Sequence, residues 1–201
     1  MKKVLFTGFE PFGSEKRNPS WEAVKLLPGT VAEMEIIKLE LPVVYDECAR
    51  LLLEAIRKHQ PDAVICVGQA GGRSSIAVEN FALNVKAAKS PDNAGVVFEG
   101  EKIVSDGPAA YESTLPVRGM VRAMEDAGVP AAVSYCAGTY VCNNVMYHLL
   151  HDSAQHAPER KAGFIHLPFD EIQAQAHDNN VAFMPLSQMT EGLAACVQVL
   201  W

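Results

Sequence analysis

Among 201 residues, five cysteines and six histidines carry the most versatile chemistry. Cys142 ends the run Ala137-Gly138-Thr139-Tyr140-Val141-Cys142, where a strand pattern passes through a small-residue turn into a helix pattern. A thiol at a helix N-terminus lies in the positive field of free amide N–H groups, which favours thiolate, the nucleophilic form. The same amides could hold an oxyanion on an attacked carbonyl. The plain alternative is a buried cysteine acting as a small hydrophobe, and position brings the two readings level. Cys48, Cys66 and Cys196 fall on core faces of predicted elements, so burial accounts for them. Cys136 could form a redox pair with Cys142 only without the C-x-x-C spacing.

A cysteine nucleophile needs a base. His166 ends the apolar run Ala162-Gly163-Phe164-Ile165 and precedes Leu167-Pro168, so it sits where a strand leaves a sheet. Sequence alone favours a satisfied core histidine there; a rim position makes it the best candidate base. His148, His151 and His156 lack zinc-site spacing and read as a solvated helix face. His59 closes a helix, and His177 lies in a polar loop. A third group should orient the imidazole. Glu79 stands alone between Ser75-Ile76-Ala77-Val78 and Asn80-Phe81-Ala82-Leu83. Burying a lone carboxylate is costly without a partner. The pattern favours a solvent-facing Glu79 on an alternating strand, with a paired, buried one as the alternative.

The elements that must position these groups alternate. Lys3–Thr7, Met34–Leu41, Ala63–Val67, Ala131–Tyr135 and Ala162–His166 read as strands, and Ser75–Val85 as one or two more. Helices are predicted at 45–59, 116–127, 142–151 and 186–200, and one from Pro19 with Asn18 as N-cap. Lys89–Gly107 reads as loop, with a hairpin around Val96–Val104. This order implies right-handed crossovers and helices on both sheet faces. The expected fold is α/β: a three-layer α/β/α sandwich with a mostly parallel sheet, one domain over residues 1–201. Ligands in such sheets bind beyond the carboxyl ends of strands. Gly8–Asn18, Gly68–Ser74, Cys136–Cys142 and His166–Pro168 all follow strands, which directs them to one rim.

Composition narrows the function. Hydrophobic residues make up 49% of the chain and charged ones 20%, with 17 basic against 24 acidic residues and a net charge of −7. That is ample core material and a poor match for nucleic acid or an anionic membrane. No apolar run approaches the ~18 residues of a membrane span, and the N-terminal run is too short for a signal peptide. An odd cysteine count points to a reducing cytoplasm.

Several blocks in order resemble the pyroglutamyl-peptidase I (pyrrolidone-carboxylate peptidase) family of cysteine peptidases. They are Thr7-Gly8-Phe9-Glu10-Pro11-Phe12-Gly13, Asn18-Pro19-Ser20-Trp21-Glu22-Ala23, Val67-Gly68-Gln69-Ala70-Gly71-Gly72-Arg73, Asp106-Gly107-Pro108-Ala109-Ala110-Tyr111, Ala137-Gly138-Thr139-Tyr140-Val141-Cys142-Asn143 and Gly163-Phe164-Ile165-His166-Leu167-Pro168. The resemblance implies removal of an N-terminal pyroglutamyl residue from peptides, with no cofactor or metal, and a homotetramer. It places the family's catalytic residues on Cys142, His166 and Glu79. It also places substrate-binding residues on Phe9, Phe12 and Gln69. Apolar walls and a few hydrogen-bonding groups suit a lactam, which carries no ammonium. The chain departs from the family pattern at Val78, Asn80, Lys89 and Cys136, none of them a catalytic type. Two other readings stand beside this one: a homologue that binds pyroglutamyl ends with weakened turnover, and a non-peptidase α/β small-molecule-binding module. The absence of G-x-x-x-x-G-K-[ST] and G-x-G-x-x-G counts against the last.

Overall fold

The computed structural model describes residues 1–177 and 180–201. In chain order it runs β1 (Lys3–Phe9), α1 (Pro19–Leu26), β2 (Thr30–Val31), β3 (Met34–Leu41), α2 (Glu47–His59), β4 (Ala63–Gln69), β5 (Ile76–Glu79), β6 (Phe81–Leu83), β7 (Lys86–Ala87), β8 (Glu99–Glu101), β9 (Ala110–Glu112), α3 (Val117–Asp126), β10 (Ala131–Ser134), α4 (Val141–His156), β11 (Lys161–Leu167), α5 (Glu171–Ala176) and α6 (Leu186–Val197). The sheet order is β10-β5-β11-β4-β1-β3-β2. β11, β4, β1 and β3 run parallel to one another.

Alternation along the buried strands builds two cores, because successive side chains point to opposite faces. Val4, Phe6, Ile65, Val67, Ile165 and Leu167 pack into one with residues of α1, α3 and α6. Leu5, Phe9, Val64, Cys66 and Phe164 pack into the other with α2 and α4. The result is the expected α/β/α layering. Asn18 caps α1, its side chain accepting from the Ser20 amide, and Pro19 occupies the first turn.

The structure differs from expectation in three places. β5 and β10 pair parallel with each other but β5 runs antiparallel to β11. Glu79 and Ser134 therefore end level with Phe164, partway down β11, and the chain must climb back through residues 135–140 to start α4 at the rim. The expected hairpin around Val96–Val104 is absent; Lys86–Ala87 pairs with Glu99–Glu101 instead. α5 was not foreseen. It starts with a capping box, Asp170 accepting from the Gln173 amide, but its six residues are too few to show a helical period.

Among the described residues, no helix is long and apolar enough to cross a membrane.

Candidate active site

All three candidate groups lie on the α4 side of the sheet. Glu79 pairs in register with Phe164 and Ala77 with His166, so Glu79 and His166 share a face. Glu79 is wholly buried and His166 nearly so, correcting the expectation of a solvent-facing carboxylate. The partner that makes the burial tolerable is the imidazole: His166 Nδ1 lies 2.8 Å from Glu79 Oε1. A carboxylate cannot donate, so Nδ1 carries the proton and Nε2 is left with its lone pair outward. Arg73 Nη1 stands 3.7 Å from the same oxygen, a cation on the solvent side.

Gly68 links the strand of the imidazole to the sulfur. It is the register partner of His166 on β4. A Cβ at this position would lie 3.0 Å from Cys142 Sγ and 2.7 Å from Phe164 Cζ. The sulfur thus fills the space that a side chain at Gly68 would take, beside the strand that carries His166.

Cys142 is the second residue of α4, whose N-cap Tyr140 is extended and makes no side-chain capping bond. Asn143 anchors this helix start. Wholly buried, it accepts from the Leu83 amide at 2.8 Å and donates to the carbonyls of Leu83 and Val85 at 2.9 and 3.0 Å. The helix field does not decide the resting state of the thiol. Burial first, and then the negative charge of Glu79, push Cys142 up to about 12, against the pull of its own amide. The expectation of a standing thiolate is corrected accordingly: desolvation of the charged form outweighs the helix N-terminus.

Beside the sulfur lies a small cavity of about 40 Å³. Phe9, Phe12, Val43 and Tyr140 form its apolar wall, Asn18 and Gln69 its polar positions, and Val141 and Cys142 its helix-end corner. Phe9, Phe12, Gln69 and Cys142 line this cavity, and Gly68, packed against the sulfur, is the register partner of His166, which bonds Glu79. Val43, Asn18 and Tyr140 were not foreseen as lining residues. Tyr140 stood in a diagnostic block without an assigned role, Asn18 was read only as an N-cap, and Val43 carries no local signal.

The segment after β7 is pinned across the outside of this pocket. Tyr140 Oη donates to the Pro91 carbonyl at 2.8 Å, and Asn93 Nδ2 donates to Glu10 Oε1 and the Pro11 carbonyl. Buried Asp92 accepts from the amides of Tyr45, Ala94 and Val96. Of the departures from the family pattern, Val78 is core, Asn80 donates to Glu112, and Lys89 and Cys136 are exposed. The expected solvated histidine face holds only for His156. His148 is half-buried 3.7 Å from Asp46, and burial lowers its affinity for a proton. His151 Nδ1 shares a 2.9 Å hydrogen bond with Tyr111 Oη, which leaves it half-buried.

Comparison with known proteins gives the family. Residues 2–201 match the profile of the pyroglutamyl peptidase family. A pyrrolidone-carboxylate peptidase from Enterococcus faecalis is 48% identical over 192 residues, covering 95% of this chain and 89% of that protein. One from Thermococcus onnurineus is 48% identical over 196 residues, covering 98% and 97%. The crystal structure of pyroglutamyl peptidase I from Bacillus amyloliquefaciens superposes with a TM-score of 0.95 at 42% identity, covering 100% of this chain and 97% of that one.

Proposed function

The chain belongs to the pyroglutamyl peptidase family, and from that premise we propose that Cys142, His166 and Glu79 hydrolyse the bond after an N-terminal pyroglutamyl residue. The observation that carries the assignment is the 2.8 Å bond between His166 Nδ1 and Glu79 Oε1 on the face that holds the Cys142 sulfur.

Burial opposes a standing thiolate, so attack and proton transfer go together. The sulfur bonds to the pyroglutamyl carbonyl carbon as its proton passes to Nε2 of His166. The negative charge of Glu79 disfavours thiolate and favours imidazolium. Glu79, in direct contact with the imidazole, thus steadies the imidazolium that forms as the sulfur attacks rather than a standing ion pair. Amides at the start of α4 lack helical acceptors and are the candidate donors to the oxyanion. Collapse breaks the C–N bond while Nε2–H protonates the leaving amine. Water then gives one proton to Nε2 and its hydroxyl to the thioester carbon; the C–S bond breaks and the thiol is restored. Throughout, Glu79 holds the tautomer.

Phe9 and Phe12 offer apolar faces to the lactam ring, and Gln69 a hydrogen bond. The structure's lining of one small cavity by all three supports this reading. The chain is read as one peptidase domain over residues 1–201. The five unpaired cysteines support a reducing, cytoplasmic setting, and family resemblance supports a homotetramer, which light scattering checks. Turnover of a fluorogenic pyroglutamyl amide tests the proposal. Cys142→Ser should lose it while keeping the wild-type circular dichroism spectrum, and iodoacetamide should silence the wild type by labelling Cys142. Near-wild-type turnover by the serine variant would end the assignment.

A further inference from the structure

Gln69 can recognise a lactam carbonyl only if its amide nitrogen, and not its oxygen, faces the pocket. An isolated glutamine side chain has no reason to choose, because its two ends are nearly the same shape. The choice is made two residues away in space. Gln173 Nε2 lies 3.0 Å from Gln69 Oε1. The same nitrogen lies 2.9 Å from Glu15 Oε2 and 3.3 Å from the Arg17 carbonyl. Neither a carboxylate nor a carbonyl can donate, so the end of Gln173 that meets them must be its NH₂. On its other side, Gln173 Oε1 accepts from the Asp170 amide at 3.5 Å, completing the capping box of α5. Gln173 is 2% exposed, so water cannot substitute for these partners.

With Gln173 held as a donor, Gln69 must turn its oxygen toward it. Its NH₂ group then meets no protein acceptor among the described residues, and Gln69 lines the cavity beside Cys142. We propose that Gln173 is a specificity-determining positioning residue: it fixes the polarity of Gln69 so that the pocket offers a donor to the lactam oxygen. The inference rests on the reading of Gln69 as a substrate contact.

Steady-state kinetics on a pyroglutamyl coumarin amide at pH 8 test it. Gln69→Ala should raise KM about tenfold, the usual worth of one neutral hydrogen bond. Gln173→Met frees Gln69 to point either way, so about half the molecules stay competent and KM rises about twofold. Gln173→Glu, as an ionised carboxylate, can only accept there; it turns the Gln69 NH₂ away from the pocket and should raise KM at least as much as Gln69→Ala. In all of these kcat and the iodoacetamide labelling rate of Cys142 should hold within about threefold, as for lost ground-state binding. In a Gln69→Ala background both changes at position 173 should lose their effect. Unchanged KM for Gln69→Ala would overturn the substrate-contact reading itself. A KM rise with Gln69→Ala, but equal effects of the position-173 changes with and without Gln69, would overturn only the positioning role. Should Gln173→Glu fail to fold, Gln69→Glu makes the same test: it still accepts from Gln173 but shows the pocket only oxygen. Its KM should exceed that of Gln69→Ala, and wild-type KM would refute the proposal.

Discussion

Gly68→Ala probes the point where sulfur, imidazole strand and core meet. The new methyl would lie 2.7 and 2.9 Å from Phe164 Cζ and Cε1 and 3.0 Å from Cys142 Sγ. Ordinary carbon contacts lie near 3.5–4.0 Å, so each neighbour must give by several tenths of an ångström or more. Phe164 is wholly buried with its ring centroid 4.7 Å from that of His166, so its displacement is passed to the imidazole. Overpacking of this kind typically costs about 1–3 kcal/mol. For a chain of this length that lowers Tm by about 2–12 °C. A misplacement near 1 Å at reacting groups costs about a hundredfold in rate, so a shift of part of that should lower kcat by about 10–100-fold. Phe9 and Phe12 are not among the atoms nearest the methyl, so KM should move less than kcat. The assay is kcat and KM on a pyroglutamyl amide beside a thermal melt. Gly119→Ala serves as control: it sits in α3, where an added Cβ meets only Pro116 at 3.7 Å. That change should stabilise by about 0.5–1 kcal/mol through lower unfolded-state entropy and leave turnover alone. Wild-type kcat in Gly68→Ala would refute the packing of sulfur against this glycine.

Glu79→Gln should lower kcat by about 10²–10⁴-fold with KM nearly unchanged, because the amide no longer holds the imidazole tautomer or its positive charge; a loss below threefold would remove Glu79 from the mechanism. Asn143→Ala should destabilise by about 2–4 kcal/mol, since three part-buried hydrogen bonds between α4 and the β6 region are lost and the Leu83 amide is left unpaired. Urea unfolding measures it, and a change under 1 kcal/mol would contradict the role of this residue as anchor. Stability should fall above pH ~8.5, where unfolded thiols ionise. Cys48, Cys66, Cys142 and Cys196 are all held protonated by burial, Cys66 and Cys142 up to about 12. Above that pH the unfolded chain binds fewer protons than the folded one, so each thiol removes about 1.4 kcal/mol per pH unit until it ionises in place. Denaturation at pH 8 and pH 10 reads the slope; Cys196→Ala should make it shallower, and equal stability at the two pH values would refute the burial argument.

The sequence by itself determined the layering, because strands and helices announce themselves through short-range periodicity. The continuous apolar run Ala63–Val67 had to be covered on both faces, and Pro19 behind Asn18 had to start a helix. Cys142 was legible because a helix start is a local event, His166 because it ends an apolar strand run, and Glu79 because it stands alone in an apolar stretch; the family resemblance joined the three. The direction of β5 was not legible, since pairing partner and orientation are long-range choices. That direction reversed the reading of Glu79: antiparallel pairing with β11 carried an apparently solvent-facing carboxylate under the imidazole, where a partner offsets its desolvation. Only the tertiary structure could also decide the protonation of Cys142, because the helix field is local while desolvation depends on everything packed around the sulfur. The polarity of Gln69 was set the same way, by Gln173 from a distant helix. Sequence spacing shows which groups exist; which end of each faces the substrate depends on neighbours that only folding supplies.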